Sequence, residues 1–305
     1  PMIHGGSTQR QAREQSVKML GEVDLPDPEG LLKRYPHQLS GGQQQRVVIA
    51  MALIAKPVLL IMDEPTTALD VTVEAGVLDL VKDLRRRHRM AILFISHNLR
   101  TVAQVCDRVS VMYAGDIVEQ GRVSSVFRAP AHPYTTGLLD CLPSLDSPKH
   151  GARLRSIPGQ VPPPSNRTAP CMFMERCNYG LAGRCDRDHN PLRSSGQDND
   201  HLVRCIRLDE LPANLTDIDK DESETSVGAS NAEGAPTARP VLTLRAVSKR
   251  FSQARGLFQQ RSQTVTALDQ INLDIEGNQT LAVVGDSGSG KSTLARAICG
   301  LTTAD

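Results

Sequence analysis

A glycine-rich run around residue 290 has the composition of a phosphate-binding loop. It follows an apolar run at 281–284 and precedes a helix-like stretch, and this strand–loop–helix context gives the pattern its meaning. Glycines let the backbone turn its N–H groups inward around phosphates at the positive end of a helix. Lys291 is then placed to bridge the β- and γ-phosphates, and the hydroxyl of Ser292 to bind Mg²⁺. The sequence therefore predicts a nucleoside triphosphate site that includes Gly285, Ser287, Gly288, Gly290, Lys291, Ser292 and Thr293.

Two adjacent carboxylates, Asp63 and Glu64, end a short and wholly apolar run. The residues at 58–62 are typical of a strand buried on both faces of a parallel sheet. Such a strand delivers the residues at its end to the carboxyl edge of the sheet, where ligands bind in open α/β folds. Adjacent acids often only face solvent, but the abrupt change from an apolar strand to Asp-Glu-Pro favours a functional pair.

A second anion-binding helix start is predicted at Ser40. Ser40 is a good N-cap residue, and Gly41 and Gly42 expose the backbone N–H groups that follow it. The run 39–46 contains no lysine, so we expect it to complete a phosphate site rather than to form one by itself. An ordinary capped helix is the alternative, and the neighbouring motifs disfavour it.

These motifs together resemble those of the ABC superfamily of ATPases. Residues 39–46 resemble the signature motif, 59–64 the Walker B strand, 68–70 the D-loop, and His97 the switch histidine. The resemblance implies that the signature motif contacts the γ-phosphate of a nucleotide held by an opposite domain and that the D-loop crosses the seam between domains. The residues to which it gives these roles are Ser40, Gly41, Gly42, Gln43 and Asp70.

The same resemblance implies roles in ATP hydrolysis, with ATP and Mg²⁺ as the ligands. Asp63 is expected to hold Mg²⁺ through water, and Glu64 to polarise the attacking water. His97 is expected to sense the γ-phosphate, and Phe251 to stack on the adenine ring. Catalysis is thus expected to depend on Glu64 and His97.

Four further runs narrow the resemblance to the ATPases of dipeptide and oligopeptide importers. They are Tyr-Pro-His-Gln at 35–38, Asp-Glu-Pro-Thr-Thr-Ala-Leu-Asp-Val-Thr at 63–72, Val-Met-Tyr-Ala-Gly at 111–115 and Ala-His-Pro-Tyr-Thr at 131–135. The resemblance implies an ATP hydrolase that energises peptide import. The implied partners are two membrane permease subunits and an extracytoplasmic peptide-binding protein, with no nucleic acid. The implied location is peripheral, on the cytoplasmic face of the plasma (inner) membrane.

The order of the motifs predicts parts of two ABC ATPase domains. Because the signature and Walker B motifs precede the P-loop, we expect residues 1–128 to be the C-terminal part of a first nucleotide-binding domain. Residues 241–305 are then the N-terminal part of a second domain, and both ends of the chain look cut. Residues 129–208 are expected to form the C-terminal extension of the importer family, and the acidic residues 209–240 a flexible linker.

The fold class that the resemblance implies is α/β, of the P-loop NTPase (ABC ATPase) type. Each domain is expected to have a largely parallel core sheet, an antiparallel β-subdomain and a helical signature subdomain, followed by the loop-rich extension. By family analogy the domains pair head to tail, so that the first-domain signature faces the second-domain P-loop. No ATP site is then expected to be complete within the chain.

Four of the seven cysteines lie within 35 residues of one another, at 171–205 of the proline-rich extension, where apolar residues are sparse. A cross-linking metal centre there would substitute for hydrophobic burial. Four thiolates suit a [4Fe–4S] cluster or zinc, and the lack of Cys-x-x-Cys pairs favours the cluster. Four reduced, unpaired cysteines are the alternative. The expected ligands are Cys171, Cys177, Cys185 and Cys205, whereas ordinary small apolar roles are expected for Cys106, Cys141 and Cys299.

Charge and cysteine spacing argue against three other classes of protein: nucleic-acid binders, excision-repair ATPases and translation-associated ATPases. A net charge of +1 argues against a nucleic-acid binder with a basic face. The alternative function is a fused ABC ATPase of nucleotide excision repair, but its metal modules use paired Cys-x-x-Cys spacing. Translation-associated ABC ATPases usually have a basic linker, whereas residues 209–240 are acidic. An odd number of cysteines, no secretion signal and no apolar run of about 20 residues predict a cytosolic protein without a membrane span.

Overall fold

A computed structural model describes residues 6–67, 69–141, 157–163, 170–187, 190–196, 199–212, 215, 240–253, 263–286 and 288–305. The helices are α1 (Gln9–Glu22), α2 (Pro28–Leu31), α3 (Gly41–Leu53), α4 (Val71–His88), α5 (Leu99–Val105), α6 (Val123–Arg128), α7 (Pro133–Asp140) and α8 (Lys291–Ile298). The strands are β1 (Leu59–Asp63), β2 (Ala91–Ile95), β3 (Arg108–Tyr113), β4 (Asp116–Arg122), β5 (Arg193–Ser194), β6 (Leu202–Val203), β7 (Pro240–Gln253), β8 (Gln263–Glu276) and β9 (Thr280–Val284). Single turns of 3₁₀ helix lie at Pro36–Gln38, Met174–Arg176 and Leu208–Glu210. Most of the expected linker, at 216–239, lies outside the described residues, as do Ala68 and Ser287.

A seven-stranded sheet in the order β1–β2–β9–β3–β4–β6–β5 forms the centre of the fold. The first four of these strands run parallel, and β4, β6 and β5 add antiparallel pairs at one side. The long strands β7 and β8 pair with each other in a separate antiparallel sheet. Helices cover the parallel strands, as their wholly apolar sequences predict. The predicted α/β class is confirmed.

Strand β9, which leads into the P-loop, lies between β2 and β3 in this sheet. The motif order predicts that residues 1–128 and 241–305 belong to different domains, whereas the structure joins them through β9 in one sheet. The physical reason is that β9 is buried on both faces, so it fits only a slot that is apolar on both sides. Alternate residues enter two separate cores: Ala282 and Val284 in one, Leu281 and Val283 in the other.

A polar contact at the start of β9 fixes its register. The backbone N–H of Thr280 donates to Oδ2 of Asp107 at 2.7 Å. Nη1 of Arg85, near the end of α4, donates to the same carboxylate at 2.6 Å and to Oγ1 of Thr280 at 2.8 Å. This contact joins α4, the turn before β3 and β9, and so aligns the end of β9 with the ends of β1 and β2.

The chain after α6 is attached to the sheet through a buried carboxylate. Glu119 of β4 accepts hydrogen bonds from the backbone N–H groups of Ala131 at 2.8 Å and His132 at 3.0 Å. It also contacts Nε2 of His201 at 2.7 Å. These contacts hold α7 and β6 against β4 and satisfy a carboxylate that is fully buried. Among the described residues, no helix has both the length and the apolar character needed to cross a membrane.

Candidate functional site

An open cleft of about 720 Å³ lies at the carboxyl ends of the parallel strands. The P-loop after β9 forms one wall, and the ends of β1 and β2 contribute to the other side. Its lining residues are Glu64, His97, Leu99, Leu138, Val265, Ala267, Gly285, Asp286, Gly288, Gly290, Lys291, Ser292 and Thr293. The motif order places the P-loop and Glu64 in different domains, whereas the insertion of β9 beside β2 brings the P-loop, Glu64 and His97 to one cleft. That no ATP site is complete within the chain stays a prediction, because the signature residues do not line this cleft.

The P-loop backbone takes a form that only glycine permits at two positions. Gly285 has φ +149°, and a Cβ there would lie 2.0 Å from the carbonyl oxygen of Met112. Gly290 has φ +106°, and a Cβ there would lie 2.5 Å from the carbonyl oxygen of Ala267. The loop therefore packs directly on the main chain of β3 and β8. This packing leaves the N-terminus of α8 open to the cleft, as an anion site requires.

Lys291 is buried at the first position of α8. Its Nζ donates to the carbonyl oxygens of Gly285 at 2.9 Å and Asp286 at 3.0 Å. Burial lowers the pKa of Lys291, and the nearby carboxylates Glu64, Asp286 and Asp63 act in the opposite direction. The ammonium group thus lies inside the loop, bonded to two neutral carbonyl oxygens. A phosphate would bind it more strongly than these carbonyl oxygens do, because both partners of that hydrogen bond would be charged.

Glu64 and His97 contact each other across the ends of β1 and β2. Nδ1 of His97 lies 2.9 and 2.8 Å from the two carboxylate oxygens of Glu64. The register of the two strands pairs Asp63 with Ile95, so the residues that follow them emerge side by side. Glu64 has φ +49°, and its backbone N–H donates to the carbonyl oxygen of Ile95 at 3.0 Å. The carboxylate is thereby fixed in orientation at the cleft.

The two residues predicted to bind Mg²⁺ lie at the same edge of the sheet. Ser292 lines the cleft in the first turn of α8, and Asp63 is exposed at the end of β1. Hydroxyl and carboxylate oxygens are the ligands that this hard cation prefers. The donor set near Lys291 therefore fits a magnesium–phosphate ligand.

The signature motif forms the predicted capped helix but does not line the cleft. Oγ of Ser40 accepts from the backbone N–H of Gln43 at 3.3 Å, and the Gln43 side chain accepts from the N–H of Ser40 at 3.1 Å. Gly42 packs so closely on α4 that a Cβ would lie 2.6 Å from Cγ1 of Val73. Gly41 stays exposed beside it. The helix start is thus available to a ligand from outside this cleft.

Three other predicted site residues lie apart from the P-loop wall or outside the described residues. Phe251 is exposed on β7, with Nζ of Lys249 5.6 Å from its ring centre, and it does not line the cleft. Asp70 caps α4 by accepting from the backbone N–H of Val73 at 3.0 Å. Ser287 is not among the described residues. Val265 and Ala267 of β8, rather than Phe251 of β7, line the cleft.

Cys171, Cys177, Cys185 and Cys205 line a second cavity, of about 40 Å³. They are free thiols. Burial raises the pKa of Cys171 to about 11 and also raises the pKa of Cys177 and Cys205. Within the described ranges, no group of three or more His, Cys, Asp or Glu is arranged so that it could hold a metal ion. The set of soft ligands that was predicted is nevertheless gathered around one space, with Cys185 buried in its wall.

Two residues that contact the P-loop, Tyr134 and Arg176, were not predicted to do so from the sequence. The backbone N–H of Asp286 donates to the hydroxyl of Tyr134 at 2.8 Å, and its carboxylate pairs with Arg176. The run at 131–135 contains Tyr134 and marks the family, but its spacing carries no sign of a contact with the P-loop. Arg176 has no local signal except its place between two cysteines.

Comparisons with known sequences match both parts of the chain. A family profile described as ABC transporter matches residues 5–67 and 268–305. A profile described as the C-terminal region of oligopeptide/dipeptide transporters matches residues 118–185. The second profile covers part of the segment between the two cassette matches.

Two curated relatives show how far the similarity extends. A Brucella melitensis protein named for a peptide import ATP-binding role is 46% identical over 215 residues, which are 69% of this chain and 63% of that protein. The glutathione import ATP-binding protein GsiA of Salmonella paratyphi A is 36% identical over 296 residues, which are 97% of this chain and 38% of that protein. The chain thus spans less than two thirds of the length of either relative.

Solved structures of related cassettes align with part of the chain. The ADP conformation of MJ1267, an ATP-binding cassette of an ABC transporter, aligns with a TM-score of 0.35 and 29% identity. The alignment covers 38% of this chain and 46% of that one.

Proposed function

Because this chain belongs to the ABC transporter family of ATP-binding proteins, we propose that it binds and hydrolyses ATP to energise the import of di- or oligopeptides. The observation that carries the proposal is the meeting of Lys291, Glu64 and His97 in one cleft. A buried ammonium at a helix N-terminus holds phosphate, and a carboxylate beside it activates water.

In the proposed reaction, each residue acts on a different part of the nucleotide. The P-loop N–H groups and Lys291 bind and orient the phosphates. Glu64, fixed by its bond to His97, accepts a hydrogen bond from the water that attacks the γ-phosphate. Ser292 and Asp63 would hold Mg²⁺, which supplies charge stabilisation for the phosphates when it is bound. Phe251, Asp70 and Ser287 keep their predicted roles in adenine stacking, the D-loop and the P-loop as part of this proposal.

Peptide import rests on the extension and on the relatives. The match of residues 118–185 to a C-terminal region of peptide transporters favours transport over the excision-repair alternative. One relative is named for peptide import and another for glutathione import, and glutathione is itself a tripeptide. We therefore propose that the partners are two membrane permease subunits and an extracytoplasmic binding protein, with the chain peripheral to the cytoplasmic face of the inner membrane.

The predicted domain boundaries also stay part of the proposal. Residues 1–128 and 241–305 are taken as the end of one cassette and the start of the next, with 129–208 as extension and 209–240 as linker. The order of the motifs and the greater length of the relatives support this division. Because cassettes share one fold, the P-loop half of one can occupy the β9 slot of another. Head-to-tail pairing would bring Ser40, Gly41, Gly42 and Gln43 to a nucleotide of an opposing unit.

We propose that the four cysteines bind a [4Fe–4S] cluster, with zinc as the alternative. Each thiolate of such a cluster binds a different iron, so the sulfurs stand farther apart than four ligands around one zinc ion. The support for the proposal is that the four cysteines line one cavity. The centre would shape the extension rather than react.

Replacement of Lys291 tests the proposed nucleotide site. We expect Lys291→Ala to raise the Kd for a fluorescent ATP analogue at least about tenfold, because a charged hydrogen bond to phosphate is lost. Lys33→Ala, a change at an exposed lysine, is the matched control and should leave the Kd unchanged. Equal affinity of wild type and Lys291→Ala would refute the proposed function.

A further inference from the structure

Arg176 is a buried cation of the cysteine segment that reaches the P-loop. It ends the 3₁₀ turn at Met174–Arg176, directly before Cys177, and only 9% of its side chain is exposed. Nη1 lies 3.3 Å from Oδ2 of Asp286, the second residue of the P-loop. Arg176 is thus a direct link from the segment with the cysteines to the nucleotide cleft.

Contacts with three further residues, Pro158, Tyr113 and Phe173, fix the position of the guanidinium group. Nε donates to the carbonyl oxygen of Pro158 at 2.8 Å, and Nη1 donates to the hydroxyl of Tyr113 at 3.1 Å. The group also lies over the rings of Tyr113 and Phe173, at 5.6 and 5.9 Å from their centres. Because bonds on several sides hold it, Arg176 presents its charge to Asp286 without searching other rotamers.

The aromatic residues around Arg176 belong to both the sheet and the extension. The ring of Tyr113, at the end of β3, lies 4.7 Å from that of Tyr134 in α7 and 5.2 Å from that of Phe173. Tyr134 in turn accepts from the backbone N–H of Asp286 at 2.8 Å. Asp286 is therefore held twice by this cluster, at its main chain by Tyr134 and at its carboxylate by Arg176.

The charge of Asp286 gives these contacts a consequence for nucleotide binding. Its carboxylate lies in the loop that would receive a polyanion, and its carbonyl oxygen accepts a hydrogen bond from Lys291. An unpaired carboxylate at this place would repel phosphate and offset part of the attraction to Lys291. Arg176 neutralises that charge in a half-buried site where water screens it poorly.

We propose that Arg176 is a positioning residue for the P-loop, through which the cysteine segment sets the affinity for ATP. The inference rests on the proposed function, since it takes ATP as the ligand of the cleft. Tyr113 and Phe173, which contact Arg176, also line the cavity of the four cysteines. The conformation of the cysteine segment therefore determines where Arg176 lies. The extension is then part of the nucleotide site rather than an appendage.

A double-mutant cycle on ATP binding tests the proposal. We expect Arg176→Gln, which keeps bulk but removes charge, to raise the Kd for the fluorescent ATP analogue about tenfold. In an Asp286→Asn background the same change should raise it less than about threefold, because no carboxylate is left unpaired. Arg176→Lys should raise the Kd about threefold, since lysine keeps the positive charge but cannot make all the hydrogen bonds of the guanidinium group. This last variant serves if Arg176→Gln does not fold.

The matched control is Arg184→Gln, a change in the same segment that breaks only a surface pair with Glu210. It should leave the Kd unchanged, and the Tm and metal content of all variants should be measured beside the Kd. An unchanged Kd in Arg176→Gln, or an equal loss in both backgrounds, would overturn the proposal. If Lys291→Ala lowers affinity while Arg176→Gln and Arg176→Lys do not, only this inference fails. If Lys291→Ala also has no effect, the proposed function fails with it.

Discussion

His132 caps helix α7 with a ring nitrogen that must be unprotonated to do so. Nδ1 accepts a hydrogen bond from the backbone N–H of Tyr134 at 3.1 Å, and the residue is only 2% exposed. Burial lowers the pKa of His132 to about 4, outweighing the nearby Glu119, which acts to raise it. The cap therefore stays neutral in the folded protein at neutral pH.

This depressed pKa makes stability depend on pH in a defined direction. An unfolded histidine titrates near pH 6.5, so between about pH 6.5 and 4 the unfolded chain binds more protons than the folded one. The contribution of His132 is thus fully present above pH 6.5 and is lost as the pH falls through that window. At about pH 4.5 we expect it to have cost roughly 2 kcal/mol of the free energy of unfolding.

Urea unfolding of His132→Asn measures this contribution. Asparagine can still cap the helix but does not titrate, so its free energy of unfolding should fall less between pH 7 and about pH 4.5 than that of the wild type. His37→Asn, at an exposed histidine, should follow the wild type. An equal fall in the wild type and His132→Asn would show that the buried cap does not resist protonation.

The elements of the parallel sheet were predictable because their signal is local. The runs at 58–62 and 91–95 are apolar over five residues and are followed by polar ones, and the structure places β1 and β2 there. Helix α3 begins at Gly41, directly after Ser40, because the capping box of Ser40 and Gln43 starts it there.

The neighbours of β9 could not be predicted in this way. Its five residues predict a buried strand, but the choice of β2 and β3 as partners depends on contacts between segments almost two hundred residues apart. Motif order alone separates the P-loop from Glu64, whereas the slot between β2 and β3 brings them together. Arg176 escaped prediction for the same reason, since its partner Asp286 is 110 residues away.

The cysteine segment is the element on which a metal prediction can be tested. Anaerobic purification followed by iron, sulfide and zinc analysis should find about four irons and four sulfides per chain, as a [4Fe–4S] cluster contains. Cys177→Ser should lower the iron content, because it removes one of four thiolate ligands. Cys299→Ser, at an exposed cysteine outside the set, should not. One zinc ion per chain would show that the site binds zinc and not a cluster. A stably folded protein without metal would rule out both.

At the scale of the whole molecule, one sheet gathers the groups that the proposed chemistry needs. The P-loop follows β9, within the last 26 residues of the sequence. His97 follows β2, which pairs with β9, and Glu64 follows β1, which pairs with β2. The extension then closes one side of the P-loop through Tyr134 and Arg176. The signature helix remains outside this cleft, with Gly41 exposed. In the proposed function, the cleft binds the nucleotide and the start of α3 is left for an opposing unit.

The central claim is that Lys291 and Glu64 of the same chain serve one ATP. Hydrolysis by a mixture of two inactive variants tests it, because Lys291→Ala keeps Glu64 and Glu64→Gln keeps Lys291. If each site uses both residues from one chain, every site in the mixture lacks one of them. We predict that the wild type and the exposed-site control Glu29→Gln hydrolyse Mg-ATP, that each variant alone does not, and that mixing them restores nothing. Recovery of hydrolysis on mixing would show that the two residues meet across different chains, and would contradict the account.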